Sequence, residues 1–334
     1  MTIGHSIKTN QRNHYQKVLN LMAGSPLVES MADELQDDSY ESFYQHPVIR
    51  DYTACIMAAN PASIPSSVAM YYHIFLMKRN GEKIFFLEPD MALLLAHTDI
   101  KGVAGPMLKT PYREQLIIMP PNFDAIQLYD PRTGNHRLDA VYVSYTGTLL
   151  RLLAVGHLNE NSTNVLDDTL AYFKFNFDNR DLKVQVREQI EKHRQSPELI
   201  PLGGHYNLDI AAKLFDFILN ILLYITSPEA DMYFETWADV DPSIKKFKGT
   251  DKKKAIQRLR SRNNFLKIRV GMKTHLNRES RESYATGRKV DKRTLVMGHW
   301  QHYWIGVGRE ENVLKWKQPF WKGTGELSNV PHKL

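Results

Sequence analysis

His299 and His302, with Arg309 shortly after them, come closest in this 334-residue chain to the groups that metal-free RNA cleavage needs. That chemistry asks for one imidazole to take a proton, a second to give one, and a cation beside the phosphate. A strand over His299 to Ile305 would put Trp300, His302 and Trp304 on one face and His299, Gln301, Tyr303 and Ile305 on the other. The two histidines would then point apart. The same separation works against zinc, and the chain has neither a CxxC pair nor a second His pair at ligand spacing, so no metal and no cofactor is expected. Asp181-Leu182-Lys183 matches the acid-x-lysine end of some nuclease sites, without the clustered carboxylates a metal nuclease requires. Asp167-Asp168 reads as the start of a helix. No P-loop and no GxGxxG occurs. The residues therefore lean away from an enzyme, with a ribonuclease built on His299, His302 and Arg309 as the alternative.

Charge offers more than these few groups. The segment 243–293 holds 18 Lys and Arg against 4 acidic residues, a net +14; with +6 for the whole chain, the rest carries −8. Its cations include Lys245, Lys246, Lys248, Lys252, Lys253, Lys254, Arg258, Arg260, Arg262, Lys267 and Arg269, then Arg288, Lys289, Lys292 and Arg293. An acidic globule with a basic arm points to nucleic acid or an acidic surface, because Lys and Arg release counterions from phosphates in a sequence-blind, salt-dependent way. RNA or the ribosome is the expected partner, a solvated linker the bland alternative, and a phage accessory protein that holds DNA the third. Four of the five tryptophans follow in the tail, where aromatic faces beside Lys and Arg either stack unpaired bases or complete a core. For Trp300 and Trp316 the core is favoured; for His299, His302, Arg309, Lys317 and Lys322 both readings stand.

The elements that must position these residues show in the hydrophobic period. His14 to Met22, Asp33 to Ala59 and Ser66 to Lys78 read as helices. Asn80-Gly81 turns the chain into an apolar strand, Lys83 to Leu87, closed by Pro89; Leu116 to Met119, closed by Pro120, is a second of the same kind. Strands follow at Ala140 to Tyr145, Leu149 to Val155 and Tyr172 to Phe177, the last alternating Phe173, Phe175 and Phe177 with Lys174 and Asn176. Lys183 to His193 and Leu208 to Ile225 return to helix. In the latter, Asp209, Lys213, Asp216 and Asn220 draw a polar stripe that a bilayer span would not carry. Asp251 to Leu266 reads as helical with a thin apolar stripe of Ala255, Ile256 and Leu259. The fold class is α+β: an N-terminal helical layer, a central mixed or antiparallel sheet with a long buried helix, a basic arm and a β-strand tail. The expected units are an acidic globule at 1–242, a basic, partly helical, mobile arm at 243–293, and a tail at 294–334 that packs back on the globule. Met1 to Asn10 has no apolar run, so it is not a secretory signal, and the lone Cys55 suits a reducing compartment.

The tail also carries a resemblance. Gly298-His-Trp-Gln-His-Tyr-Trp-Ile-Gly-Val-Gly308, followed by Lys315-Trp-Lys-Gln-Pro319, resembles the C-terminus of the type V-A anti-CRISPR proteins that limit biogenesis of the effector nuclease. It is similar as well to a wider set of phage and plasmid proteins with the same GHW…W…PFWKG ending. The proline-closed strand Leu116 to Pro120 and the helix end Leu222 to Asp231 fit that wider set, while Lys-Arg-Thr-Leu-Val-Met stands where a more basic run precedes the Gly-His-Trp. The resemblance implies a mobile-element protein in the bacterial cytoplasm, with no membrane association. Its partners would be an effector nuclease polypeptide, recognised as it is made, and the translating complex with its message. It marks Gly298, His299, Trp300, His302, Trp304, Trp316, Pro319, Trp321 and Lys322 as signature positions and candidate partner contacts.

Overall fold

Apolar side chains that alternate to the two sides of one sheet organise this chain. The computed structural model describes residues 14, 15, 17, 18, 35, 39–59, 64–130, 133–157, 168–195, 208–261, 265–274 and 294–322. Helices α1 (Tyr40–Gln45), α2 (Pro47–Ala59) and α3 (Ile64–Asn80) lead into β1 (Ile84–Leu87), α4 (Pro89–Ala96) and a short β2 (Thr98–Asp99). Then come β3 (Glu114–Ile118), β4 (Gln127–Asp130), β5 (Gly134–Tyr145), β6 (Leu149–His157) and β7 (Thr169–Asn176). Helices α5 (Leu182–Gln195) and α6 (Leu208–Ile225) precede β8 (Met232–Phe234), α7 (Trp237–Val240), α8 (Gly249–Ser261) and β9 (Ile268–Val270). The chain closes with β10 (Thr294–Val296), β11 (Gly298–Ile305), β12 (Glu311–Lys317) and β13 (Phe320–Lys322). The class is α+β.

The large sheet has the order β7-β6-β5-β3-β1-β9-β8, with β4 paired to β5. Only β1 is parallel to its neighbours, β3 and β9; the other pairs are antiparallel, so the sheet is mixed. Ile84, Leu116, Ile118, Tyr142, Leu153 and Val155 face the N-terminal helices and meet Phe43, Tyr72 and Phe75. Their neighbours Phe85, Ile117, Val141, Val143, Leu152 and Ala154 face the opposite layer, built on α4 and α6. Each large side chain so buried stabilises the fold by about 1.5–3 kcal/mol, and the period of two lets one strand serve both layers.

Two sequence expectations change here. Asp168 does not begin a helix. It lies just before β7 with its side chain buried, where its carboxylate accepts from His14 Nδ1 at 2.8 Å, Lys17 Nζ at 3.1 Å and His157 Nδ1 at 3.0 Å. Burial alone would push this carboxyl up. The hydrogen bonds from His14 and His157 and the charges of His14 and Lys17 outweigh it and hold the group well below the usual carboxylate range. A second buried pair, His73 Nδ1 and Glu114 Oε1 at 2.6 Å, lies on the same side of the sheet, and burial pushes the Glu114 carboxyl up despite that partner. Tyr142 stacks against His73 and meets His14 edge-on.

The segment expected as a mobile arm also contributes three residues to the sheet. Its residues Ile268–Val270 form β9, inserted between β1 and β8, with Val270 fully buried. Ile268 and Val270 supply enough apolar surface for a strand that both neighbours pair. Among the described residues no helix is long and apolar enough to cross a membrane. Residues 275–293, including Arg288, Lys289, Lys292 and Arg293, lie outside the described residues, as does Arg262.

Candidate functional site

The C-terminal signature folds as a hairpin whose base is core and whose tip is exposed. In β11 and β12, Trp300 pairs directly with Trp316, and His302 with Leu314. Both tryptophans are buried. Trp300 Nε1 donates to Asn220 Oδ1 at 2.7 Å, and Asn220 Nδ2 donates to the Thr98 carbonyl at 2.7 Å. Trp316 Nε1 donates to Thr98 Oγ1 at 3.1 Å, and its ring meets Tyr224 edge-on at 5.1 Å. The polar stripe of α6 thus does not run uniformly into solvent. Lys213 is exposed and Asp216 half-buried, but Asn220 is fully buried and holds an indole. These bonds meet the rule that a buried indole N–H needs an acceptor.

Gly298 and Pro319 explain each other. Gly298 pairs with Thr98 of β2, and a Cβ added there would sit 2.6 Å from Pro319 Cδ and 2.7 Å from Thr98 Oγ1. The hairpin base closes only with glycine at that position. Gly298→Ala is therefore expected to destabilise the protein by about 1–3 kcal/mol, the usual effect of overpacking. Chemical denaturation checks this, and an unchanged midpoint would mean the contact relaxes at no cost. Trp321 and Lys322 pair with Leu295 and Thr294 in the separate β10–β13 ladder.

The histidines do not converge. His302 is clamped: Nε2, 2.8 Å from the Gly102 carbonyl, fastens the hairpin to the loop after β2, and Nδ1, 3.0 Å from Asn312 Oδ1, ties the ring to the neighbouring strand β12. His299 is exposed on the other face, and Arg309 stands in the turn. On the His299 face, Lys315 and Lys317 lie over the Tyr303 ring at 5.5 and 5.1 Å. Asp181 is an N-terminal cap of α5: Oδ1 accepts from Val184 N at 3.1 Å and Oδ2 from Gly102 N at 2.7 Å. Lys183 pairs with Asp99 and reaches Asp216. Among the described residues no group of 3 or more His, Cys, Asp or Glu could hold a metal ion.

Beyond the clamp the hairpin leaves the core. Trp304 is 58% exposed and Val307 99% exposed, with Ile305 between them also open. The turn reaches this conformation through Gly306 at φ 87° and Gly308 at φ 76°, a region that favours glycine. Among the described residues, strand β12 is the outer strand of the β12-β11-β2 sheet, and its far end borders an open cleft between Trp316, Tyr224, Glu229, Asp231 and Lys273.

The basic residues divide into two groups. Lys245, Lys246 and Lys248 are exposed around a 3-10 turn anchored by the buried Ile244, and Lys252, Lys253, Lys254, Arg258 and Arg260 are exposed on α8. The apolar positions Ala255, Ile256 and Leu259 of that helix are half-buried, as their spacing predicts. Lys267 and Arg269, in contrast, belong to β9 and its approach, inside the sheet: Lys267 lies 4.8 Å from the Phe86 ring, and Arg269 pairs with Glu88 at 2.6 Å. Sequence reasoning singled out neither Glu88 nor the aromatic residues beside the basic helix, since single aromatics in a polar run carry no period.

These features define a mixed-sheet α+β protein with a tryptophan-anchored hairpin and a basic outer helix. Residues 85–323, from β1 past β13, match the family described as AcrVA2-like, the anti-CRISPR type V subtype A2 family, and the chain belongs to that family. Among solved structures it is similar to the crystal structure of AcrVA2, with 13% identity and a TM-score of 0.42 over 93% of this chain and 94% of that one. No curated protein matches it.

Proposed function

We propose that this anti-CRISPR protein lowers the level of a type V-A effector nuclease during its synthesis, by recognising the nascent polypeptide and holding the message or the ribosome. Family membership across residues 85–323 is the observation that carries the reading. Two surfaces support its parts. The apolar hairpin tip, Trp304, Ile305 and Val307, projects beyond the core that fixes its base, and the outer strand β12 offers an edge to which an extended polypeptide can add. The exposed lysines of α8 supply the phosphate contact. The work would be done in the bacterial cytoplasm.

Co-expression with a type V-A effector in bacteria tests this, reading effector protein and message together. The wild-type protein should lower both. Synonymous recoding of the effector's first codons should leave the loss intact, whereas a compensated frameshift that changes the peptide but few nucleotides should abolish it. The opposite pattern would sink the polypeptide half. Trp304→Ala with Val307→Asp should restore effector to the level seen without the protein, with no change in thermal midpoint, because neither side chain contributes to the core. Reversing Lys252, Lys253 and Lys254 to Glu should weaken co-sedimentation with ribosomes while the globule stays folded. Unchanged co-sedimentation would remove the ribosome contact.

A further inference from the structure

The block from β8 to α8 combines exposed aromatic rings with exposed lysines in one packed unit. Tyr233 is 42% exposed on the sheet's edge strand, and its phenol is hydrogen-bonded to Asp239, which fixes the ring. Asp239 lies beside Lys245. Phe247 is 41% exposed, between Lys246 and Lys248. Trp237 is half-buried, with the Arg260 guanidinium of α8 over its ring at 5.4 Å. Short helix α7 and helix α8 each pack on the 3-10 turn, and the Arg260 contact joins Trp237 to the last turn of α8, so these rings and the lysines of the turn belong to one packed unit.

The carboxylates here are engaged within the fold. Asp239 accepts from Thr236 N and Thr236 Oγ1, both at 2.7 Å, Asp241 accepts from Ser243 N at 2.9 Å, and Glu235 accepts from Lys267 N at 3.3 Å. The residues from 242 to 261 carry eight cations against Asp251 alone. A surface meant only to attract a duplex or an acidic protein has no use for exposed rings between its lysines. Unpaired bases do, since every base has a π face and a stacking ring takes it irrespective of sequence.

We propose that this block is a single-stranded RNA platform, on which Tyr233, Phe247 and the Trp237–Arg260 pair stack bases while lysines of the turn and of α8 meet the phosphates. It deepens the message-binding half of the function above by naming the form of RNA that is held. A path of this kind follows a strand without reading it, and suits the open single-stranded stretches of a message better than a folded helix.

The test is fluorescence anisotropy of the full-length protein, with a labelled single-stranded RNA of about 20 nucleotides, the same strand annealed to its complement, and polyglutamate of similar charge. The wild-type protein should bind the single strand at least tenfold more tightly than the duplex or polyglutamate. Phe247→Ala and Tyr233→Ala should each weaken the single strand by roughly tenfold, with the salt slope kept. Reversing Lys252, Lys253 and Lys254 should instead lower the salt slope. Phe247→Tyr should restore binding, which separates stacking from misfolding. Equal binding of duplex and single strand, tighter binding of polyglutamate, or full affinity in both ring variants would each overturn the platform. No effector is present in this assay. A negative result with repression intact in cells would refute the platform alone, and a positive result without repression would refute only the anti-CRISPR mechanism.

Discussion

Asp168→Asn is expected to remove about 3–5 kcal/mol of stability at neutral pH, the usual effect of leaving a buried charge unpaired. The side chains of His14 and Asp168 are fully buried and that of Lys17 nearly so, and one carboxylate gathers His14, Lys17 and His157 within 3.1 Å. An amide keeps the shape and loses the charge, so Lys17 stays in the interior without its counter-ion. The pH dependence gives a second readout. The folded-state pKa of Asp168 lies below the unfolded one, so its contribution is complete above the ordinary carboxylate range and is lost as pH falls through that range toward the folded value. Guanidinium denaturation at pH 7 and at about pH 3 should therefore show the gap between wild type and variant narrowing on acidification. A gap that is absent at pH 7, or constant with pH, would refute the role assigned to this cluster. Because His14 and Lys17 come from the N-terminal segment, limited proteolysis should cut that segment faster in the variant.

None of this cluster shows in the sequence, and the reason is physical. His14 and Asp168 are 154 positions apart, and a periodic pattern reports only which face of its own element a residue occupies. Where one element sufficed, the sequence was informative. The strands read at Ala140 to Tyr145 and Leu149 to Val155 reappear, with one face in each core layer. The stripe of Ala255, Ile256 and Leu259 reappears as the half-buried side of α8. Where a distant partner decides, it was not. Asn220 belongs to a polar stripe until Trp300 arrives 80 positions later to meet it. Ile268–Val270 is three residues with an Arg at the centre in a basic run, and becomes a strand because β1 and β8 hold it on both sides. Pro89 closes β1, but proline also suits the first turn of a helix, and here it is the first residue of α4.

The candidate site divides along the same line. Alternation put Trp300, His302 and Trp304 on one face of β11, and the structure keeps them there. It could not say that the three pass from buried to half-buried to exposed, since that depends on where the globule ends beneath the hairpin. The family signature therefore contains two kinds of residue. Gly298, Trp300, Trp316 and Pro319 build the base. Trp304, Ile305 and Val307 have no packing reason to be apolar, and it is these that a partner would meet.

Trp300→Ala should bring both halves down together. Truncating a buried Trp removes about 3–5 kcal/mol through lost burial and cavity formation. It also strands the Asn220 carbonyl oxygen inside the fold, a further loss of about 1–3 kcal/mol. Trp300→Phe retains most of the ring and loses only the donor, so it should show the smaller of these effects and separate hydrogen bonding from packing. Denaturant midpoints of wild type and both variants at constant slope give the comparison. The hairpin base rests on Thr98 and Asn220, so Trp300→Ala should also free the tip, and repression should fall with stability. Trp304→Ala, in contrast, should lose repression at full stability. If Trp300→Ala kept its stability to within about 1 kcal/mol, the base of the hairpin would not be the part of the core assigned to it. If it lost that stability and still repressed fully, the tip would not be the contact.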